Sequence, residues 1–149
     1  MITFELSTDY DLLNWMDTAT FLLDERPHFE SDTMWWIGRQ GDMLACFCAW
    51  KPTFFKHMNE TVGFHYRAGV LEGFRGCGLQ KQMVRLREDS MRNADINLAV
   101  TYTDADNAAS MRSLIGCGYR PYQATEHSCL SGGLARMGRV GFVHWDKIL

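Results

Sequence analysis

The run Val70-Leu71-Glu72-Gly73-Phe74-Arg75-Gly76-Cys77-Gly78-Leu79-Gln80 sets a glycine-broken basic turn between an apolar strand and an amphipathic helix. Glycines there let successive backbone N–H groups point into one concavity at a helix N-terminus, where the helix dipole also favours an anion. Arg75 adds a full positive charge. This spacing predicts phosphate binding, with backbone donors from Arg75, Gly76, Cys77, Gly78, Leu79 and Gln80. A lone Gly-x-Gly is equally compatible with an ordinary strand-to-helix turn.

Other reactive side chains lie around this turn. His65 precedes it on the same strand and has the ordinary imidazole affinity of a general base working near neutrality; Glu72 and Glu60 are the acidic alternatives. His127 and Cys129 are near neighbours, but their glycine-rich surroundings supply no third group to orient a thiol nucleophile. The five cysteines are odd in number and form no C-x-x-C pair, which argues against a disulfide framework or a zinc ribbon. Cys46 and Cys48 share one face of a strand and read as buried small hydrophobes, so no metal site is expected.

These groups need elements to hold them. Residues 2–6 alternate as a first strand, and Thr8 or Asp9 can cap a helix with Leu12, Trp15, Met16, Ala19, Leu22 and Leu23 on its apolar stripe. Pro27 ends that helix or begins a short second helical piece. Residues 34–39 and 43–50 form a β-hairpin about Gln40-Gly41-Asp42, and Pro52 breaks its second strand. Residues 61–71 form a long strand with Val62, Phe64, Tyr66, Ala68 and Val70 on one face, feeding the glycine turn. A helix over 78–93 carries Leu79, Met83, Leu86 and Ser90. Residues 96–103 are dense enough in apolar side chains for a central strand. Asp104 or Asp106 caps a further helix bearing Met111, Leu114 and Ile115, which Gly116 and Gly118 end. Strands near 119–122 and 140–145 flank a glycine- and serine-rich loop at 125–138. The order β-α-β-β-β-α-β-α-β-β predicts an α/β layer structure with a mixed sheet.

At 149 residues with 46% hydrophobic and 22% charged composition, the chain suits one folded globular domain spanning 1–149. No apolar run approaches the roughly 20 residues that span a bilayer, and the N-terminus lacks a signal core, so a cytoplasmic protein without membrane partners is expected. A net charge of −3 and the absence of a basic-aromatic groove speak against nucleic acid. The charge is uneven. Residues 9–32 hold Asp9, Asp11, Asp17, Asp24, Glu25, Glu30 and Asp32 against Arg26, whereas residues 67–92 hold Arg67, Arg75, Lys81, Arg85, Arg87 and Arg92. That asymmetry suits an anionic cofactor and a cationic acceptor, although solvated helix faces explain it as well. Trp35, Trp36, Trp50, Phe54 and Phe55 are explained by core packing and a homodimer interface.

The glycine turn is followed, one strand later, by Asn107-Ala108-Ala109-Ser110-Met111-Arg112-Ser113-Leu114-Ile115-Gly116-Cys117-Gly118-Tyr119. This pairing resembles the GNAT acetyltransferase family. Arg75, Gly78 and the upstream Val70 match its first motif, Q/R-x-x-G-x-G/A after a valine-bearing strand. Asn107, Gly118 and Tyr119 match its second, roughly N-x-x-A-x-x-L-Y-x-x-x-G-F. The resemblance implies a mixed sheet of six to seven strands with helices on both faces, splayed between two central strands after about Val70 and Thr101. It implies acyl transfer from acetyl-coenzyme A to a primary amine, with no metal. The pyrophosphate would lie on residues 75–80, and the pantetheine arm along the main chain of Gly69, Val70 and Leu71 and against Asn107, whose alternative role is helix capping. The chain departs from the family at Gln80, where a small residue is usual, and at Leu114, where many members carry the thiol-protonating tyrosine. Ser110, one turn before Leu114, is a substitute hydroxyl, and Tyr119 and Tyr122 are further ones. The departures also fit a GNAT-like module that binds a partner protein and transfers little or no acetyl.

Overall fold

The order of elements along the chain is the one expected from the sequence. A computed structural model describes residues 1–21, 26–122 and 142–149, and all that follows concerns these. The elements are β1 (Thr3–Leu6), α1 (Tyr10–Thr20), β2 (Met34–Gln40), β3 (Met43–Phe55), β4 (Glu60–Val70), α2 (Leu79–Asn93), β5 (Leu98–Asp104), α3 (Ala108–Gly116), β6 (Arg120–Tyr122) and β7 (Phe142–Ile148). The strands form one mixed sheet in the order β1-β2-β3-β4-β5-β7-β6. Only β4 and β5 are parallel among these neighbours.

Strand alternation divides the apolar residues between the two faces. Trp35, Ile37, Phe47 and Ala49 pack with Leu13 and Met16 of α1. Trp36, Cys46, Cys48, Trp50 and Val70 pack with Leu79, Met83 and Met91 of α2 and Leu114 of α3. Helices therefore cover both faces. Cys46 and Cys48 are buried free thiols. Burial pushes Cys46 up to about 12 and Cys48 up to about 11, so neither supplies a thiolate at neutral pH.

Several local expectations are corrected. Asp9 caps α1 by accepting from the Leu12 N–H, but the buried stripe is Leu13, Met16 and Asp17, and Trp15 is 57% exposed. The stripe is rotated because Asp17 has a partner inside: Arg67 of β4 grips it with two hydrogen bonds of 2.6 and 3.0 Å. The helix ends at Thr20, before Pro27, and no helical piece follows over 26–33. Pro52 does not break β3, which runs on to Phe55 with Pro52 opposite Gly63. The register of β2 with β3 ends at Met34 opposite Trp50, so Pro52 lies where β3 has an open edge and a missing N–H does no harm. Asn107, not Asp104 or Asp106, caps α3. Of the aromatic residues about the hairpin, Trp35, Trp36, Trp50 and Phe55 are core, whereas Phe54 is exposed. The expected loop over 125–138 lies outside the described residues.

The correction with the largest consequence is in β4. Ala49 faces Arg67 and the next residue, Trp50, faces His65, so Tyr66 is an extra residue on β4. This β-bulge puts Tyr66 and Arg67 on the same side and reverses the alternation beyond them. Val62, Phe64 and Tyr66 therefore pack on one side, and Ala68 and Val70 on the other. The five do not share a face. The bulge also bends β4 away from its neighbour. Pairing with β5 is confined to Gly63 with Ala99 and Phe64 with Val100, so the strands part several residues earlier than expected.

Candidate functional site

The parted strands open a cleft of about 660 Å³, walled by 65–70 of β4 and 101–104 of β5. Arg75, Gly76 and Gln80 close one end, and Asn107, Ser110 and Leu114 of α3 line its side. Thr101 bridges the mouth of the split, donating its hydroxyl to the His65 carbonyl at 3.1 Å where main-chain pairing has stopped.

The glycine turn is built for approach rather than for packing. Gly73, Gly76 and Gly78 have φ of +95°, +78° and +77°, which L side chains resist. A Cβ at Gly76 or Gly78 would meet nothing within 4 Å, so the space beside this backbone is open. Gly78 is also the N-cap of α2, whose first N–H groups lack carbonyl partners within the helix. Arg75 folds back to donate Nε–H to the Val70 carbonyl at 3.2 Å. Cys77 is exposed with its thiol 3.8 Å from the Arg75 carbonyl, and Leu79 is a buried core residue. The turn thus presents main-chain donors and one guanidinium beside open space at the end of the cleft.

Beside it, the backbone direction narrows the expected strand contacts. The Leu71 N–H is committed to the Ala45 carbonyl at 2.9 Å. Because polar main-chain groups alternate along a strand, Gly69 also turns toward β3, while Ala68 and Val70 turn toward the cleft. Gly69 has a packing role instead: a Cβ there would lie 2.7 Å from the Phe47 ring and 2.8 Å from Thr20. Asn107 accepts from the Ser110 N–H at 3.1 Å, so capping occupies its carbonyl oxygen while its side chain borders the cleft. Glu72 is exposed and outside the lining. Glu60 accepts from Asn97, also away from it. His127 and Cys129 fall outside the described residues.

His65, 4% exposed, lies where the strands part, and its ring turns toward α2. Nε2 is 2.6 Å from the Tyr119 hydroxyl, which donates to Oε2 of Glu88 at 2.9 Å. Lys147 of β7 meets both oxygens of Glu88, at 3.1 and 3.0 Å. Beside them Arg87 donates to the carbonyls of Met83 and Ala49 at 3.1 and 3.3 Å. Burial, then the charges of Arg87 and Lys147, hold His65 well below its ordinary value of 6.5, so it is a neutral imidazole. Burial and the Glu88 charge push Tyr119 upward, so its phenol does not ionise. The Nδ1 of His65 is buried without a hydrogen-bond partner, a condition that costs about 1–3 kcal/mol until some donor reaches it.

Glu88 and Lys147 were not among the residues expected from the sequence, and Arg87 was expected only as part of the basic stretch 67–92. A signal existed for Arg87 and Glu88: Leu79, Met83, Arg87 and Met91 fall at helical spacing, so the stripe that buries α2 includes charges. The acids of 9–32 do not form a wall of the cleft among the described residues. Asp17 is held by Arg67, and Glu30 approaches Lys51 at 3.9 Å. Asp24 and Glu25 lie outside the described residues. The acidic side chain that does line the cleft is Asp104.

A mixed sheet split between its parallel strands, with a glycine cradle at the start of the following helix, defines an α/β fold with a ligand-sized cleft at the split. The chain belongs to the acetyltransferase (GNAT) family, which its sequence matches over residues 2–119. Solved structures of the same fold include the IAA acetyltransferase of Bacillus cereus, with a TM-score of 0.76 and 11% identity over 100% of both chains. An acetyltransferase of Bacillus subtilis in complex with CoA has a TM-score of 0.70 and 17% identity, covering 100% of this chain and 99% of that one. A GNAT family acetyltransferase of Elizabethkingia anophelis with acetyl-CoA bound has a TM-score of 0.68 and 15% identity, covering 99% and 98%. No curated protein matches the chain in sequence.

Proposed function

We propose that this chain transfers acetyl from acetyl-coenzyme A to a primary amine, of a small molecule, a lysine or an N-terminus, by direct attack. The observation that carries the reading is the continuous cleft from the Arg75–Gly76 cradle to His65 at the strand split. Backbone N–H groups of 75–80 with Arg75 hold the diphosphate, and the main chain of Ala68 and Val70 offers strand-like hydrogen bonds to the pantetheine amides. The co-substrate supplies an activated acetyl thioester. The amine nitrogen bonds to the acetyl carbon as the C–S bond breaks, and His65 takes the proton the nitrogen loses. Leu114 borders the cleft without a proton to give, so water protonates the departing thiolate. Asp104 supports an acceptor that carries positive charge.

Calorimetric titration with acetyl-coenzyme A tests this reading. Micromolar binding, weakened about tenfold or more in Arg75→Ala, and release of coenzyme A thiol in the presence of an amine panel are expected. No binding at high micromolar concentration overturns it. Leu114, buried on the cleft wall, favours a second reading: a GNAT-like module acting through a protein partner. Tight binding with no acetylation of any amine would select that one.

A further inference from the structure

We infer that Tyr119, Glu88 and Lys147 form a positioning chain that fixes His65 as the Nε2–H tautomer and thereby leaves Nδ1 as the proton acceptor of the transfer site. The inference rests on the acetyltransferase reading and adds to it the residues that make the base competent.

The assignment follows from counting protons. The Glu88 carboxylate is bound by Lys147 through both oxygens and can only accept. Tyr119 has one hydroxyl proton, and it points to Glu88 at 2.9 Å. The 2.6 Å contact with His65 then needs its proton from the ring, so Nε2 carries hydrogen. A neutral imidazole has only one such hydrogen, so Nδ1 holds a lone pair, and it is this atom that is buried without a partner. The opposite tautomer would aim an N–H from Nδ1 at nothing and set the Tyr119 proton between two acceptors.

The chain joins four places in the fold: β4, α2, the turn after α3, and β7. The titratable groups gathered about His65 and Tyr119 are Arg87 and Glu88 from α2, Cys117 after α3, and Lys147 from β7. Arg87 and Lys147 oppose a lasting imidazolium. A proton taken at Nδ1 from the attacking amine is therefore not retained, and the ring returns to its neutral Nε2–H form as that proton leaves along the cleft that His65 lines. Tyr119 and Glu88 do not meet the acceptor; they act through His65.

The test is nitrogen-15 NMR of histidine-labelled protein without ligand, with the His65 signals assigned by their loss in His65→Gln. The wild-type ring is expected to show a protonated Nε2 and an unprotonated Nδ1 at neutral pH. Tyr119→Phe keeps the ring in the core but removes the acceptor oxygen; it should give a mixture of tautomers, lower kcat about tenfold, shift its pH profile, and leave the KM for acetyl-coenzyme A unchanged. Glu88→Gln combined with Lys147→Met places an amide donor beside Tyr119, turning its hydroxyl toward His65, and should reverse the tautomer. A wild-type Nδ1–H signal, or an unchanged signature in both variants, overturns the inference. Loss of acetyl-coenzyme A binding would instead sink the functional reading, and leaves the tautomer result standing.

Discussion

The cradle and the network behind His65 meet one cleft and are built on opposite plans. At Gly76 and Gly78 the chain withholds side chains, exposes backbone and leaves open space. Around His65 it buries Tyr119, Arg87 and Glu88, brings in the half-buried Lys147, and satisfies nearly every polar atom. The cradle depends on backbone conformation within about one turn of chain, whereas the network depends on the sheet and two helices being correctly assembled. Damage to the cradle should therefore cost ligand affinity first, and damage to the network should cost stability first.

Glu88→Ala is the most severe way to break that contrast. It leaves the Lys147 ammonium, whose side chain is only 20% exposed, without its partner inside the fold. Removing one member of a buried pair costs about 3–5 kcal/mol, to be read from denaturant unfolding. Acetyl-coenzyme A affinity of the remaining folded protein should be nearly unchanged. A large loss of affinity at constant stability would mean that the network reaches into the cradle.

Gly76→Val is the converse. Its φ of +78° costs an L residue about 1–2 kcal/mol, and the branched side chain enters space bordering the cleft. Affinity for acetyl-coenzyme A should fall about tenfold or more, exceeding in consequence what the stability loss alone would do. Unaltered affinity would remove the cradle from the binding site.

The network should also respond to acid in a manner the cradle does not. His65 is held below its ordinary 6.5 in the folded chain, so below that pH the unfolded chain binds the extra proton first. Stability is complete above about 6.5 and is lost as the pH falls, by up to about 1.4 kcal/mol per unit from this one group. Burial moves His144 the same way. Unfolding measured from pH 7 to 5 should show this slope, and His65→Gln should reduce it; an identical slope in the variant would assign the effect elsewhere.

The same contrast explains how much could be read from the sequence. Arg75, Gly76 and Gly78 were legible because a turn is written in adjacent residues, and hydrophobic period marked the described helices and strands in order. His65 was found, but that it shares a face with Ala68 and Val70 was not, since one extra residue at Tyr66 reverses a strand's faces without altering its composition. Glu88 and Lys147 meet only because β7 returns beside β5 while α2 lies across that face, and no local pattern announces that meeting. Pro52 misled for a similar reason: its effect depends on whether a neighbouring strand is present.

Asn107 lies between the two plans, and its substitution should have the smallest effect on stability. It caps α3 through the Ser110 N–H and also borders the cleft. Asn107→Ala should lose about 1 kcal/mol, the usual worth of an N-cap. Asn107→Ser restores a capping oxygen but not the amide N–H groups, so it should recover the stability. If the amide serves the pantetheine arm, the serine variant keeps a raised KM for acetyl-coenzyme A while melting like the wild type. Equal KM in all three proteins would assign Asn107 wholly to the scaffold, and would confine ligand recognition on that side to the main chain of β4.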